Sequence, residues 1–227
     1  MHTVVPCARR LTVAATATVI ATVAALSLSA CGASSGNQPT AVVSAMSGSS
    51  ADANTVPLTP AFAKPDLVLT DEAGQSYDLV KQTAGKPTLV YFGYTHCPDV
   101  CPTTMADIAA AKRRLPAAEQ KQLKVVFVST DPTRDTPSRL KAWLGAFDPT
   151  FIGLTGSFTT IQKAAFGLGV DIEPPVKQAD GSYTVSHGAE VFVFSPKDNE
   201  AHYFYTSGTP EPQYAADLPK IIAGVTP

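Results

Sequence analysis

Charged residues are scarce in this chain of 227 residues, of which only 16% are charged, and no internal repeat occurs. Lysine and arginine form no cluster, so the sequence has no electrostatic footprint for binding nucleic acid. Hydrophobic residues make up 44% of the chain and suffice for a core. The length suits one globular domain with appended segments.

The first thirty residues contain no acidic side chain. They begin with two arginines and then run apolar through about twenty residues, a pattern typical of a secretory signal but also long enough for a retained transmembrane helix. Residues 28–31 read LSAC, which resembles a bacterial lipobox whose cysteine, Cys31, is lipidated and becomes the new N-terminus. We therefore predict a lipoprotein signal peptide over residues 1–30. Either alternative places the domain on the outer face of the cell membrane.

Residues 31–60 are predicted to form a lipidated, flexible tether, because they are rich in Gly, Ser, Ala, Thr, Asn and Pro. Cleavage of the signal removes Arg9 and Arg10, which leaves 15 basic and 19 acidic residues and a formal net charge of −4. It also removes Cys7. Apart from the lipidated cysteine, only Cys97 and Cys101 then remain in an oxidising compartment.

A predicted domain over residues 61–227 alternates between strand and helix patterns. The predicted elements are a hairpin over 67–79, strands at 88–94, 124–130 and 151–154, helices at 102–115, 136–147 and 157–168, a hairpin over 189–205, and a helix at 211–223. The βαβ alternation implies parallel strands, and the late hairpin adds antiparallel ones. We predict an α/β, thioredoxin-like fold, in which helices flank a mixed sheet, with an N-terminal β-hairpin extension.

Cys97 and Cys101 follow the first central strand of this domain. Pro102 suits the first position of a helix, which would leave Cys101 near the N-cap, outside the helix, and Cys97 in the preceding turn. Such a bent loop would bring the two Cβ atoms closer than the ~5–6 Å of an i, i+4 helical pair and near the ~3.8 Å of a disulfide, or would hold one metal ion between the two sulfurs. The helix N-terminus would favour thiolate by lowering the pKa of a nearby cysteine. A purely structural disulfide is the weaker alternative, because so short a loop gains only about 2 kcal/mol.

Two thiolates suit Cu(I), and an added imidazole also accommodates Cu(II). His187 lies in the loop before a predicted strand, and in a thioredoxin-like fold that loop faces the active-site cysteines. This makes His187 a candidate third ligand, although a lone histidine is often incidental. His96 and His202 are weaker candidates, since the first need not point the same way as its neighbour Cys97 and the second lies among strand aromatics.

Residues 92–102, FGYTHCPDVCP, resemble the signature of the Sco/SenC copper proteins. The resemblance continues through STDPTRDTP at 129–137, GLTG at 153–156 and VSH at 185–187, and spans roughly residues 62–224. It implies a thioredoxin fold that binds one copper ion through Cys97, Cys101 and His187. One departure is Ser186, where the family usually has Asp; loss of that carboxylate would alter support of the histidine and metal affinity.

The resemblance also implies a role in assembling the dinuclear copper centre of cytochrome c oxidase. The partner would be oxidase subunit II or another copper chaperone, and the domain would deliver copper to it. The alternative is a thiol–disulfide oxidoreductase in which Cys97 or Cys101 attacks a disulfide of that copper site. A third reading, a peroxidase of the peroxiredoxin kind, is disfavoured because Pro98 stands where the activating threonine belongs. A binding module with a structural disulfide is the remaining alternative.

Three further residues are candidates for positions beside the metal ligands. Asp131, Arg134 and Asp135 follow a central strand and would support the site, although helix capping and a loop ion pair explain them equally well. Met105, one turn past Cys101, is predicted to pack in the core and not to bind copper.

Overall fold

The computed structural model describes residues 54–227. The strands are β1 (Thr55–Ala63), β2 (Val68–Asp71), β3 (Ser76–Asp78), β4 (Thr88–Gly93), β5 (Lys124–Ser129), β6 (Ile152–Thr155), β7 (Val176–Lys177), β8 (Tyr183–Thr184), β9 (Val191–Phe194) and β10 (Glu200–Tyr205). The helices are α1 (Leu79–Gln82), α2 (Val100–Arg113), α3 (Ala117–Gln122), α4 (Pro137–Gly145), α5 (Phe158–Phe166) and α6 (Glu211–Ile222).

Eight of these strands form one mixed sheet in the order β1-β10-β9-β4-β5-β6-β2-β3. The central strands β4, β5 and β6 are parallel, and β9 runs antiparallel to β4. The β2–β3 hairpin extends the sheet beyond β6, and β1 closes the opposite edge against β10. The predicted α/β, thioredoxin-like fold with a mixed sheet and a hairpin extension is confirmed.

Helices cover both faces of the sheet, which is why all six residues of β4 are buried. On one face α2, α4 and α6 pack against Tyr91 and Phe127 of the central strands. On the other face α5 packs against Phe92 and Val128. Met105 is fully buried in the first of these cores, as predicted.

Regular structure begins earlier than the sequence predicted. β1 starts at Thr55, within the predicted tether of residues 31–60 and ahead of the predicted domain start. It is an edge strand with two prolines and a register shift between Pro57 and Phe62, so it needs neither a continuous apolar run nor a complete ladder of hydrogen bonds. The predicted signal peptide and Cys31 lie outside the described residues. Within residues 54–227, no helix has the length and apolar character needed to span a membrane.

Candidate metal centre

The cysteine pair lies where the chain passes from β4 into α2, at the carboxyl end of a central strand. Cys97 lies in the turn before the helix, as predicted, but Cys101 is the second residue of α2, so its predicted position outside the helix is wrong. Pro102 is therefore the third helical residue. The first N–H groups of a helix have no intrahelical acceptor, so proline costs no hydrogen bond there. The first such bond is donated by Thr103 to the Asp99 carbonyl, at 3.2 Å.

The ligand atoms of Cys97, Cys101 and His187 all lie within 4.8 Å of one another. Both cysteines are free thiols in this structure. The backbone N–H of Cys101 points at the Cys97 sulfur, with the two atoms 3.4 Å apart, and the Tyr91 hydroxyl donates to the Cys101 sulfur across 3.5 Å. The pair is thus bracketed by two donors, one from the start of α2 and one from β4.

The two cysteines differ in their environment. Cys101 is fully buried, and burial raises the pKa of its thiol to about 12. The predicted lowering of a cysteine pKa by the helix N-terminus is therefore wrong for Cys101, because the loss of hydration outweighs the helix dipole. The backbone N–H at the start of α2 is directed at the Cys97 sulfur, and Cys97 remains 8% exposed.

His187 presents one defined nitrogen. Its Nδ1 lies 2.6 Å from the carbonyl oxygen of Gly188, and a carbonyl can only accept, so Nδ1 carries the proton. The lone pair for a metal is then on Nε2. The ring packs against Tyr94, with centroids 5.5 Å apart. The Ser186 hydroxyl donates to the Asp171 carbonyl, at 3.4 Å. The group that orients the His187 imidazole is therefore the Gly188 carbonyl and not the side chain of Ser186.

The three ligands fit a soft first-row metal ion. Ligands at about 2.0–2.3 Å from one ion lie within about 4.6 Å of each other, so a small inward movement suffices here. Two sulfurs and one imidazole nitrogen match the preferences of copper and exclude the oxygen-seeking calcium and magnesium. The arrangement can also carry out thiol chemistry, because the two sulfurs face each other.

The carboxylate of Asp135 holds the turn that precedes Cys97 and does not contact the ligand side chains. This fully buried carboxylate accepts hydrogen bonds from the Thr95 amide (3.0 Å), the Thr95 hydroxyl (2.6 Å) and the Ser129 hydroxyl (2.7 Å). The two donors of Thr95 fix the chain two residues before Cys97, and the Ser129 hydroxyl holds the same carboxylate at the end of β5. The partners of Asp135 therefore belong to the turn and to β5, not to the ligand side chains.

Asp131 is also fully buried, and its carboxylate pairs with the guanidinium of Arg134. Its backbone N–H donates to the Ser129 hydroxyl at the end of β5, at 3.0 Å. Asp131 thus anchors Arg134 to the sheet beside the site, as one of the predicted loop ion pairs.

The other histidines take separate positions. His96 points at Asp135, with Nδ1 3.6 Å from the carboxylate. His202 pairs with Asp198 at 2.8 Å on the late hairpin. Asp198, Glu200 and His202 form a second group of potential ligands. It is exposed or half-buried and rich in oxygen, so it suits copper less well than the cysteine site.

Sequence reasoning missed Tyr91 and Tyr94 as neighbours of the ligands. Tyr91 reads only as a core residue of a buried strand, because its donation to Cys101 depends on how α2 docks. No signal in the sequence distinguishes it from Phe92 beside it. Tyr94 meets His187 only through tertiary structure, 93 positions along the chain.

Residues 57–223 match the protein family described as SCO1/SenC. A putative copper-binding protein of Stutzerimonas stutzeri is 35% identical over 144 residues, which cover 63% of this chain and 70% of that protein. The mitochondrial protein SCO1 of Saccharomyces cerevisiae is 30% identical over 141 residues, which cover 60% of this chain but only 48% of its own length.

Solved structures give the same result. ScoI of Bradyrhizobium japonicum with copper bound is 34% identical, with a TM-score of 0.60, and is matched over 70% of this chain and 99% of its own. ScoI of Arabidopsis thaliana with copper bound is 30% identical, with a TM-score of 0.61, over 70% and 98%. The fold of this chain is thus similar to that of proteins solved with copper.

Proposed function

This chain belongs to the SCO1/SenC family, and from that premise we propose that it is a membrane-anchored, extracytoplasmic protein that delivers copper during assembly of the dinuclear copper centre of cytochrome c oxidase. The observation that carries the proposal is the convergence of Cys97, Cys101 and His187 within 4.8 Å. The partner is oxidase subunit II or another copper chaperone. The copper-binding protein of Stutzerimonas stutzeri and the copper-bound ScoI of Bradyrhizobium japonicum support the choice of metal.

The residues divide the work of holding and releasing the cargo. Cys101 lies deepest, whereas Cys97 is 8% exposed and His187 is half-buried on a loop. Three ligands leave a position through which a partner thiolate can approach. We expect His187 and Cys97 to exchange first and Cys101 last, so that copper passes stepwise from one set of sulfurs to the next.

Copper titration tests the proposal directly. The reduced wild type should bind one equivalent, and Cys97→Ala, Cys101→Ala and His187→Ala should each weaken binding. His202→Ala is the matched control. His202 belongs to the separate group with Asp198 and Glu200, so its substitution should leave the titration unchanged. Complementation of a strain lacking the protein, with oxidase activity measured, links binding to assembly. Failure of the wild type to bind near one equivalent, or unchanged binding by His187→Ala, would overturn copper delivery.

The second candidate function is reduction of the disulfide between the oxidase copper-site cysteines. It is favoured by the position of Cys97, whose sulfur accepts a backbone N–H from α2 and is the more exposed of the two, so that it can meet a partner disulfide. Cys97 thiolate attacks one sulfur of the substrate disulfide and releases the other as thiolate. Cys101, losing its proton to solvent, then attacks the Cys97 sulfur and releases the second substrate thiolate, so the pair is oxidised as the substrate is reduced. An external dithiol must reduce the pair again.

A disulfide-bridged peptide carrying the subunit II copper-ligand cysteines separates the two functions. Reduction of that peptide by His187→Ala at the wild-type rate, with Cys97→Ala inactive, would favour the reductase. Loss of complementation by His187→Ala despite full peptide reduction would favour copper delivery.

The membrane anchor is part of the same proposal. Cys31 would carry the lipid after removal of residues 1–30, and residues 31 to about 54 would tether the domain near membrane partners. Metabolic labelling with a clickable fatty acid should label the wild type and not Cys31→Ala. Labelling of Cys31→Ala, or none of the wild type, would contradict the lipid anchor.

A further inference from the structure

The segment that carries His187 is separate from the main sheet. It includes β7 and β8, which pair only with each other as a two-stranded sheet, and all four of their residues are exposed. His187 follows the end of β8 by three residues. Because β9 begins at Val191, the position of the imidazole depends on what holds this hairpin against the domain as well as on the main sheet.

A stacked pair holds the hairpin on the side of the metal centre. The guanidinium carbon of Arg134 lies 4.3 Å from the ring centroid of Tyr183, the first residue of β8. Arg134 is itself fixed, because its guanidinium binds the fully buried Asp131 and its backbone N–H donates to the Asp131 carbonyl, at 3.1 Å. A continuous path of contacts thus leads from the end of β5 through Asp131 and Arg134 to Tyr183.

Two other contacts act closer to the histidine. Val185 is buried, and the His187 ring packs against Tyr94. The Arg134–Tyr183 pair is therefore one of several attachments, and its loss loosens the hairpin without detaching it. A cation–π contact at a partly exposed site shifts an equilibrium about 2–5-fold.

We propose that Arg134 and Tyr183 form a latch that positions His187 over the cysteine pair and sets how fast the imidazole leaves the metal. The latch makes the loop of residues 131–135 a positioning element for the third ligand. This inference rests on the proposed copper-binding function. It concerns the rate of ligand exchange and leaves the identity of the ligands unchanged.

Copper release tests the latch. Wild type, Tyr183→Ala, Tyr183→Phe and Arg134→Lys are loaded with Cu(I), and transfer to an excess of a bicinchoninate chelator is followed by stopped flow. Tyr183→Ala should release copper about 2–5-fold faster. Tyr183→Phe keeps the aromatic face and should match wild type. Arg134→Lys keeps the charge beside Asp131 but loses the planar stack, so it should lie between the two.

Two controls separate the latch from a general loss of structure. Val176→Ala removes an exposed side chain from the other strand of the same hairpin and should leave the release rate unchanged. In a His187→Ala background, Tyr183→Ala should have no further effect, because the ligand it positions is absent. Equal release by wild type and Tyr183→Ala, or an equal acceleration in the His187→Ala background, overturns the proposal.

A metal-free measurement keeps the inference testable if copper binding itself fails. Hydrogen exchange of the amides of residues 183–188 should be about 2–5-fold faster in Tyr183→Ala than in wild type, and unchanged in Tyr183→Phe. Unchanged exchange in Tyr183→Ala would refute the latch, whereas the absence of copper binding by wild type would refute only the proposed function.

Discussion

Cys97 and Cys101 share one centre but are held by different donors. Cys97 accepts a backbone N–H from α2 and is slightly exposed, whereas Cys101 is fully buried under the hydroxyl of Tyr91. These surroundings follow from the turn after β4 and from the early start of α2. At the scale of single residues, the chemistry of the pair is therefore set as much by its neighbours as by the cysteines themselves.

Tyr91→Phe should make the cysteine pair easier to oxidise. The change removes one hydrogen bond to the Cys101 sulfur and keeps the aromatic packing, and a hydrogen bond contributes about 1 kcal/mol. Because the bond stabilises the reduced sulfur, its loss should lower the reduction potential of the pair by about 20 mV. Equilibration with glutathione buffers measures this potential. Tyr203→Phe, at a buried tyrosine packed on Tyr205, is the control; an unchanged potential in Tyr91→Phe would contradict the role of the hydroxyl.

Gly93→Ala should disturb both the fold and the metal centre. An added Cβ would lie 2.7 Å from Tyr91 Cε1, 2.9 Å from Cys101 Sγ and 3.0 Å from Phe127 Cε2. Relief of these overlaps should cost about 1–3 kcal/mol of stability and displace Cys101, weakening copper binding. Gly145→Ala is the matched control, because nothing lies within 4 Å of its added Cβ at the end of α4. Urea unfolding measures the stability of both variants, and copper titration measures their affinity. Equal stability and equal affinity in Gly93→Ala and Gly145→Ala would contradict the prediction.

At the scale of elements, burial and capping explain which predictions succeed. The strands β4, β5 and β9 are apolar runs, and all three are found close to their predicted positions. The edge strand β1 escaped prediction because only one side of it is paired. No strand is predicted over the short β7–β8 hairpin, because two-residue strands carry no periodic signal.

The convergence of the candidate site was predictable only in part. Cys97 and Cys101 are only four positions apart, so their spacing alone predicts that they pair. His187 lies 90 positions after Cys97, and its approach depends on the antiparallel placement of β9 beside β4. The thioredoxin-like architecture and the family resemblance therefore indicated His187 as the third ligand, which the local sequence pattern alone did not decide. The predicted position of Cys101 outside the helix is wrong because proline is tolerated at several of the first helical positions and not at the first alone.

Thr136→Ala should weaken α4 without altering the metal centre. The Thr136 hydroxyl accepts the Arg139 N–H at 3.3 Å and caps the helix. Loss of such a cap costs about 1 kcal/mol. Ser157→Ala is the control, because Ser157 is the N-cap of α5 but makes no capping hydrogen bond, and it should change stability by less. Urea unfolding compares the two; an equal loss in both would exclude the cap as the cause.

At the scale of the whole molecule, Lys64 connects segments far apart in sequence. It follows β1 and is 7% exposed, and its Nζ donates to the Thr83 hydroxyl at 2.8 Å and to Asn199 Oδ1 at 3.3 Å. These contacts tie the edge strand to the end of α1 and to the β9–β10 turn. All of its hydrogen-bond acceptors in the described chain are neutral, and burial lowers the pKa of Lys64 to about 8.

The pH dependence of stability should report this buried amine. Below about pH 8, Lys64 is charged in both the folded and the unfolded chain. Between about pH 8 and 10.5 the unfolded chain keeps the proton that the folded chain has lost, so the contribution of Lys64 to stability rises with pH. The full rise is up to about 3 kcal/mol.

We expect the difference in the free energy of unfolding between wild type and Lys64→Met to shift by about 1–3 kcal/mol in favour of wild type from pH 7.5 to 10. Both proteins keep both cysteines, so thiol titration cancels in the difference measured by urea unfolding. Lys163→Met, at an exposed lysine of α5, should differ from wild type by a constant amount across this range. A constant difference for Lys64→Met as well would show that the amine keeps its proton on folding.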